Sequence, residues 1–246
     1  MDNSTICFDF GNTRLKYAIF QGDELQEIAD LPDTSAQTIK ELLNRFLPGK
    51  SILSSVIDHD ESIEQILRET TSFHLLNASS NLPFTTSVPK PETIGADRLA
   101  LCAAAVHYYP KKNNLVISTG SCITYNFISQ YHSFLGGSIS PGMEMRFKAM
   151  NYYTAKLPLI KAEWDFPLIG YDTKTNLLSG VLYGLATEID GVVERYQMKY
   201  RNFNVLLTGG DTAFFAHLLK SKIFADPDLL FKGLYAISEQ NHDART

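Results

Sequence analysis

The chain has 246 residues, enough for one large domain or two small ones and for a sizeable buried core. Its 22 Lys and Arg against 27 Asp and Glu give a formal charge of -5, which argues against a nucleic-acid partner. Hydrophobic residues make up 44% and no apolar run reaches the roughly 20 residues of a membrane helix, so a globular protein with no membrane partner is expected.

The polar start Met1-Asp2-Asn3-Ser4 runs straight into a strand, and no signal peptide is expected. Thr5 to Phe10 is apolar, β-branched and aromatic, and it stops at Gly11-Asn12-Thr13. Strands over Leu15 to Phe20 and Leu25 to Ala29, separated by Gln21-Gly22-Asp23, complete an antiparallel meander. Ser35 caps a helix with Ile39, Leu42, Leu43, Phe46 and Leu47 on one face. A strand over Ser51 to Val56, a helix over Asp60 to Thr70 and a strand over Phe73 to Leu76 follow. Asn81 to Pro91 is a proline-punctuated loop, and Ala96 to Tyr109 a nearly all-apolar helix ended by Pro110 and Lys111-Lys112-Asn113-Asn114. That break divides the chain into 1–113 and 114–246, with the terminal helix packing back on the first part.

The second part opens in the same way. Strands over Leu115 to Ser118, Ile123 to Ile128 and Phe134 to Ile139 precede helices over Gly142 to Tyr153 and Asn176 to Tyr200. A strand over Asn204 to Thr208 and helices over Thr212 to Lys220 and Leu234 to Glu239 close the chain. The matching order suggests a duplicated α/β unit.

Four segments carry chemistry-bearing residues. In Asp9-Phe10-Gly11-Asn12-Thr13-Arg14-Leu15-Lys16, Gly11 permits close backbone approach to a phosphate, and Asn12 and Thr13 add small donors. Asp9 offers the kind of carboxylate Mg²⁺ accepts while keeping its waters, and Lys16 offsets phosphate charge. Gly120-Ser121-Cys122-Ile123-Thr124 is the corresponding turn of the second part, and the two turns together would clasp a triphosphate. Thr208-Gly209-Gly210-Asp211 lets a ring or ribose approach the end of a strand. In Gly95-Ala96-Asp97-Arg98, helix capping alone accounts for Asp97. Arg98 beside it suits an anionic substrate, and an acid next to such an arginine could take a proton from an alcohol. Neither a Walker A loop nor a GxGxxG fingerprint occurs, and the six histidines show no zinc spacing. The single Trp164 is expected to serve packing. Cys7, Cys102 and Cys122, odd in number and without CxxC spacing, read as reduced, mostly buried thiols of a cytosolic protein.

In this order the motifs resemble the type III pantothenate kinases, of the superfamily of acetate and sugar kinases, heat-shock ATPases and actin. Asp9 to Lys16 matches the family's D-x-G-N-T-x-x-K, Gly95 to Arg98 its G-A-D-R, Gly136-Gly137 to Pro141-Gly142 its G-G-x-I-x-P-G, and Thr208 to Asp211 its adenosine motif. The resemblance implies an α/β fold of two ribonuclease H-like subdomains with mixed sheets flanked by helices and an ATP cleft between them. It implies a cytoplasmic homodimer that phosphorylates pantothenate with ATP and Mg²⁺ on the way to coenzyme A, aided by potassium or ammonium. Asp97 would be the proton acceptor, Gly95, Ala96, Arg98 and Thr173 would hold substrate, and Asp9 would organise Mg²⁺. Gly120, Ser121, Thr124, Gly209, Gly210 and Asp211 would hold ATP.

Two positions depart from the family. Ser118 stands where the family has an aspartate that binds the monovalent cation, so weaker potassium dependence is expected. Val88 stands where the family has a substrate-contacting tyrosine. These departures motivate the opposing expectation of a weak or inactive nucleotide-binding regulator, and kinase activity on another hydroxy acid or sugar is a third. The helix over Asn176 to Tyr200 is the candidate dimer interface.

Overall fold

The computed structural model describes residues 4–241; residues 1–3 and 242–246 lie outside them. Contacts divide the chain into a first unit of Met1–Pro110, His132–Phe134 and Leu229–Thr246 and a second of Lys111–Tyr131 and Leu135–Asp228.

In the first unit, β1 (Ser4–Phe10), β2 (Leu15–Gln21) and β3 (Glu24–Asp30) form an antiparallel meander. Helix α1 (Ala36–Phe46) follows, with the Ser35 hydroxyl accepting the Thr38 N–H as its cap. The chain then returns as β4 (Lys50–Ser55), crosses through α2 (Glu61–Thr70) and adds β5 (Ser72–Leu75), so the sheet order is β3-β2-β1-β4-β5. Strands β1, β4 and β5 run parallel, as crossover helices require. Ile6, Phe8 and Phe10 on alternate positions of β1 enter a core with Ile39, Leu43, Ile63 and Leu67 of the two helices.

Within the expected loop lie a two-residue strand, β6 (Thr85–Thr86), and a single 3-10 turn at Pro91–Thr93. Helix α3 (Ala96–Tyr108) is buried along most of its length. Its cover comes from the end of the chain. Helix α7 (Leu229–Asn241) lies so close that a side chain on Gly233 would collide with the Ala100 carbonyl. Tyr235 stacks on Phe20 at 4.6 Å, and Lys50 pairs with Glu239 at 2.7 Å. Helix α7 begins five residues before the expected Leu234, because Gly233 is a packing point and not a break.

The second unit repeats the plan. β7 (Asn113–Thr119), β8 (Cys122–Ile128) and β9 (Ser133–Pro141) form the meander, and α4 (Met143–Tyr153) and α5 (Thr173–Lys199) follow. β10 (Phe203–Thr208), α6 (Thr212–Leu218) and a two-residue β11 (Phe224–Ala225) complete it. The sheet order is β11-β10-β7-β8-β9, and the opening residues of β9, which group with the first unit, pair with β6. Read from the last meander strand, both units have strand order 3-2-1-4-5, the ribonuclease H-like plan twice over.

Helix α5 starts at Thr173, three residues earlier than its apolar pattern indicates. Asp172 and Thr175 form a reciprocal capping box there. Its apolar side chains Leu178, Leu182, Leu185 and Ile189 are buried in the second unit's own core, which leaves that face committed inside the unit. Large exposed apolar side chains instead lie between α4 and α5, among them Tyr152, Tyr153, Ile169 and Tyr171, each more than 80% accessible. Trp164 packs on Phe214 with ring centres 4.5 Å apart.

Candidate active site

The register of β1 against β2 sets Asp9 opposite Lys16 and Phe10 opposite Leu15. The Gly11 N–H closes the turn on the Arg14 carbonyl at 3.1 Å, leaving Asn12, Thr13 and Arg14 exposed at the tip. A Cβ on Gly11 would lie 3.0 Å from that carbonyl, tighter than a side chain ordinarily tolerates. From β4, the Ser54 hydroxyl reaches Asp9 Oδ1 at 3.5 Å, and the Val56 N–H donates to the Phe10 carbonyl at 3.1 Å.

Burial raises the Asp9 carboxyl from 3.8 to about 7, and the charge of Asp97 adds to the rise; Lys16 and the Ser54 hydroxyl oppose it. The Asp97 charge is thus felt at Asp9 within the first unit. This is the arrangement from which acid–base roles are built.

Asp97 occupies the first turn of α3, where the sequence leaves the helix without a side-chain cap at Gly95. Its carboxylate lies back against Gly95, whose carbonyl accepts the Arg98 N–H at 3.0 Å. A Cβ on Gly95 would sit 2.6 Å from Asp97 Oδ1, so glycine is what allows that posture. Burial raises the Asp97 carboxyl above 3.8, and the Arg98 N–H and charge only partly offset it. The Arg98 guanidinium lies 5.7 Å from the Phe134 ring centre, an orientation cue that was not visible in the sequence. The Ser87 N–H holds the Phe134 carbonyl at 3.2 Å, and Val88 follows on the same strand-like segment, half-buried.

The second unit presents the companion turn. The Gly120 N–H donates to the Cys122 carbonyl at 3.1 Å, and Ser121 is half-buried at the tip. Two loops of the same unit clamp this turn through glycines. Gly142 donates its N–H to the Ser121 carbonyl at 3.1 Å, and any side chain there would collide with the Gly120 carbonyl. Gly209, at φ +98, presses on the Thr119 carbonyl in the same way, and the Asp211 N–H reaches that carbonyl at 3.2 Å. A Cβ at Gly120 or Gly210 would meet nothing within 4 Å, so these two backbones are open to a ligand.

The β-register sets Ser118 between Thr208 and Thr124. Buried Thr208 Oγ1 has no hydrogen-bond partner, while Thr124 Oγ1 accepts from the Asn126 amide at 3.1 Å. This row of neutral hydroxyls contains no carboxylate, and so it is a poor match for a tightly held monovalent cation. Thr173 opens α5, exposed beside its cap.

The thiols of Cys7 and Cys102 are buried and raised by that burial, while Cys122 is half-buried. Among the described residues no three His, Cys, Asp or Glu side chains converge as a metal site. Asp9 with Ser54 is a sparse donor set, and it suits Mg²⁺ arriving with nucleotide phosphates and water. No described helix is long and apolar enough to cross a membrane.

The family pattern described as type III pantothenate kinase matches residues 5–195. A type III pantothenate kinase of Christiangramia forsetii is 40% identical over 238 residues, 96% of this chain and 98% of that protein. One from Cytophaga hutchinsonii is 39% identical over 236 residues, covering 96% and 99%. Among solved structures, a conserved putative Baf family transcriptional activator from Campylobacter jejuni superposes with TM-score 0.59 at 24% identity, covering 96% of this chain and 98% of that one. A glucokinase from an Antarctic psychrotroph does so with TM-score 0.53 at 9% identity, covering 98% and 100%. At those identities the structures speak to the fold alone, which is that of the actin-like sugar kinases. The sequence relatives go further: the chain belongs to the type III pantothenate kinase family.

Proposed function

We infer that this protein transfers the γ-phosphoryl group of ATP to the hydroxyl of pantothenate, the first step towards coenzyme A. The observation that carries the reading is the pair of partly buried acids in the first unit, Asp9 and Asp97, with the charge of Asp97 felt at Asp9. Phosphoryl transfer asks mainly for positioning and charge neutralisation, and each group present has such a part.

Asp97 accepts the hydroxyl proton as the phosphoryl group moves; burial raises its proton affinity above that of an ordinary aspartate, as a base requires. Arg98, steadied over Phe134, takes the carboxylate of the acid substrate, and the backbone of Gly95 and Ala96 lines its approach. Thr173 adds a substrate contact, and Val88 offers packing where a tyrosine hydroxyl would have donated. Asp9 would hold Mg²⁺, which would supply charge neutralisation at the phosphates. Gly11, its own N–H closing the turn on Arg14, lets the backbone of Asn12 and Thr13 approach phosphate oxygens together with Lys16, while Phe10, Arg14 and Leu15 fix the turn. Gly120, Ser121 and Thr124 contact the phosphates, and Gly209, Gly210 and Asp211 the nucleoside. The sequence relatives reported above carry the name of a kinase, which favours this reading over an inactive regulator.

A cytoplasmic location and a homodimeric state belong to the same proposal, the dimer supported by the accessible apolar side chains between α4 and α5. The test of the reaction is ATP-dependent phosphorylation of pantothenate by wild type and Asp97→Asn. The substitution is expected to lower kcat roughly 10²- to 10⁴-fold while the protein still binds ATP. A wild type that leaves pantothenate unphosphorylated with every cation tried would refute the assignment.

A further inference from the structure

One charged cluster of the second unit is left unused by the chemistry above. On α4, Arg146 Nε donates to the Pro141 carbonyl at 3.0 Å, and its Nη2 donates to the Ser140 hydroxyl at 3.1 Å and to the Glu188 carboxylate of α5. Tyr125 of β8, only 1% exposed, donates its hydroxyl to Glu188 Oε1 at 3.3 Å. The guanidinium therefore has its direction fixed from one side by Glu188 and grips residues 140 and 141 on the other. Its backbone N–H also closes on the Gly142 carbonyl at 3.1 Å. Gly142 is the residue whose N–H holds the Ser121 carbonyl and whose Cα touches the Gly120–Ser121 turn too closely for any side chain.

We propose that Arg146, oriented by Glu188 and Tyr125, is a positioning residue that sets the Gly120–Ser121 turn for the ATP phosphates. The chain of contacts is continuous: Tyr125 to Glu188, Glu188 to Arg146, Arg146 to Ser140 and Pro141, and Gly142 to Ser121. A planar fork can make the bonds to Pro141, Ser140 and Glu188 at once, whereas a lysine ammonium on a flexible stem cannot hold the same geometry. Backbone N–H groups aimed at a phosphate act only when held in place, and small displacements are expensive. The proposal rests on reading the Gly120–Ser121 turn as a phosphate site.

Four single variants of the full chain test it: Gly120→Ala, Arg146→Lys, Glu188→Gln and Tyr125→Phe. For each, the ATP dissociation constant is read by calorimetric titration with MgATP, and KM for ATP and pantothenate with kcat by turnover. Gly120→Ala places a methyl where the protein itself offers no obstacle, so weakened ATP binding there reports the ligand. Arg146→Lys is expected to raise Kd and KM for ATP about tenfold and to leave KM for pantothenate within about twofold. Tyr125→Phe, at a side chain only 1% exposed, is expected to raise Kd for ATP about threefold, as is Glu188→Gln. Combined with Arg146→Lys, Glu188→Gln is expected to add little, since the two act as one unit. The proposal is overturned if Arg146→Lys alters neither KM or both alike. It is equally overturned if Tyr125→Phe and Glu188→Gln are silent while Arg146→Lys is not, because Arg146 would then touch the nucleotide directly. Unchanged ATP binding in Gly120→Ala instead removes the phosphate reading of the turn, and the positioning role with it.

Discussion

At the scale of single residues, Asp9 carries the sharpest consequence. Its carboxyl is raised from 3.8 to about 7 in the fold, first by burial and then by Asp97. A group raised in this way binds more protons folded than unfolded between those values. The ligand-free protein should therefore lose stability as pH climbs from about 4 to about 7, with the full penalty present above 7. Asp9→Asn removes the penalty; thermal melts of the ligand-free variant should show Tm higher by roughly 3–6 °C at pH 8, with no gain at pH 4. Because Mg²⁺ needs the ionised carboxylate, kcat/KM for MgATP in the wild type should rise through about pH 7. A flat profile from pH 5.5 to 8.5 would contradict this account of Asp9. The same reasoning applies to Ser118, set among hydroxyls in place of a carboxylate. Ser118→Asp should create or increase potassium stimulation of turnover, seen as a rate that climbs with KCl at constant ionic strength. A variant indifferent to KCl would show that position 118 has no part in cation binding.

At the scale of elements, helix α3 joins stability to chemistry. Its alanines at 100 and 103–105 let α7 approach closely enough that Gly233 must lack a side chain. Gly233→Ala should cost about 2–3 kcal/mol, since the methyl meets a backbone carbonyl and one helix must move. Chemical denaturation should read this as a lower midpoint with an unchanged slope. Most elements were legible in the sequence because their periodicity reports burial directly: alternate positions in β1, the 3.6-residue face of α1, Ser35 at its cap. The exceptions have physical reasons. β6 and β11 are two residues long, too short to carry a period. The start of α5 is set by a capping box that uses Thr175, a weaker signature than glutamate. Within the candidate site, Asp9, Gly95, Asp97 and Arg98 were legible because they fall in two short contiguous motifs, D-x-G-N-T-x-x-K and G-A-D-R. Ser54, Phe134 and the Arg146–Glu188 pair were not, because they meet their partners across 45, 36 and 42 positions of chain, and no local pattern records such pairings.

At the scale of the molecule, a chain of 27.6 kDa that leaves Tyr152, Tyr153, Ile169 and Tyr171 in water is expected to pair with a copy of itself. Light scattering should give about 55 kDa, twice the chain mass, and replacing Tyr152 and Tyr153 with serine should shift the mass towards 27.6 kDa. A wild type of 27.6 kDa across the micromolar range would rule the dimer out.

The last helix has one more implication. α7 covers α3 and belongs to the first unit, yet it is the final described segment of the chain. During synthesis the meander, α1, α2 and α3 leave the ribosome long before their cover exists. The half that bears Asp9 and Asp97 must then wait, its alanine face bare, while the second unit is made. The cover of α3 is thus made only after the whole second unit, and a messenger truncated before Leu229 yields a first unit with no lid for α3.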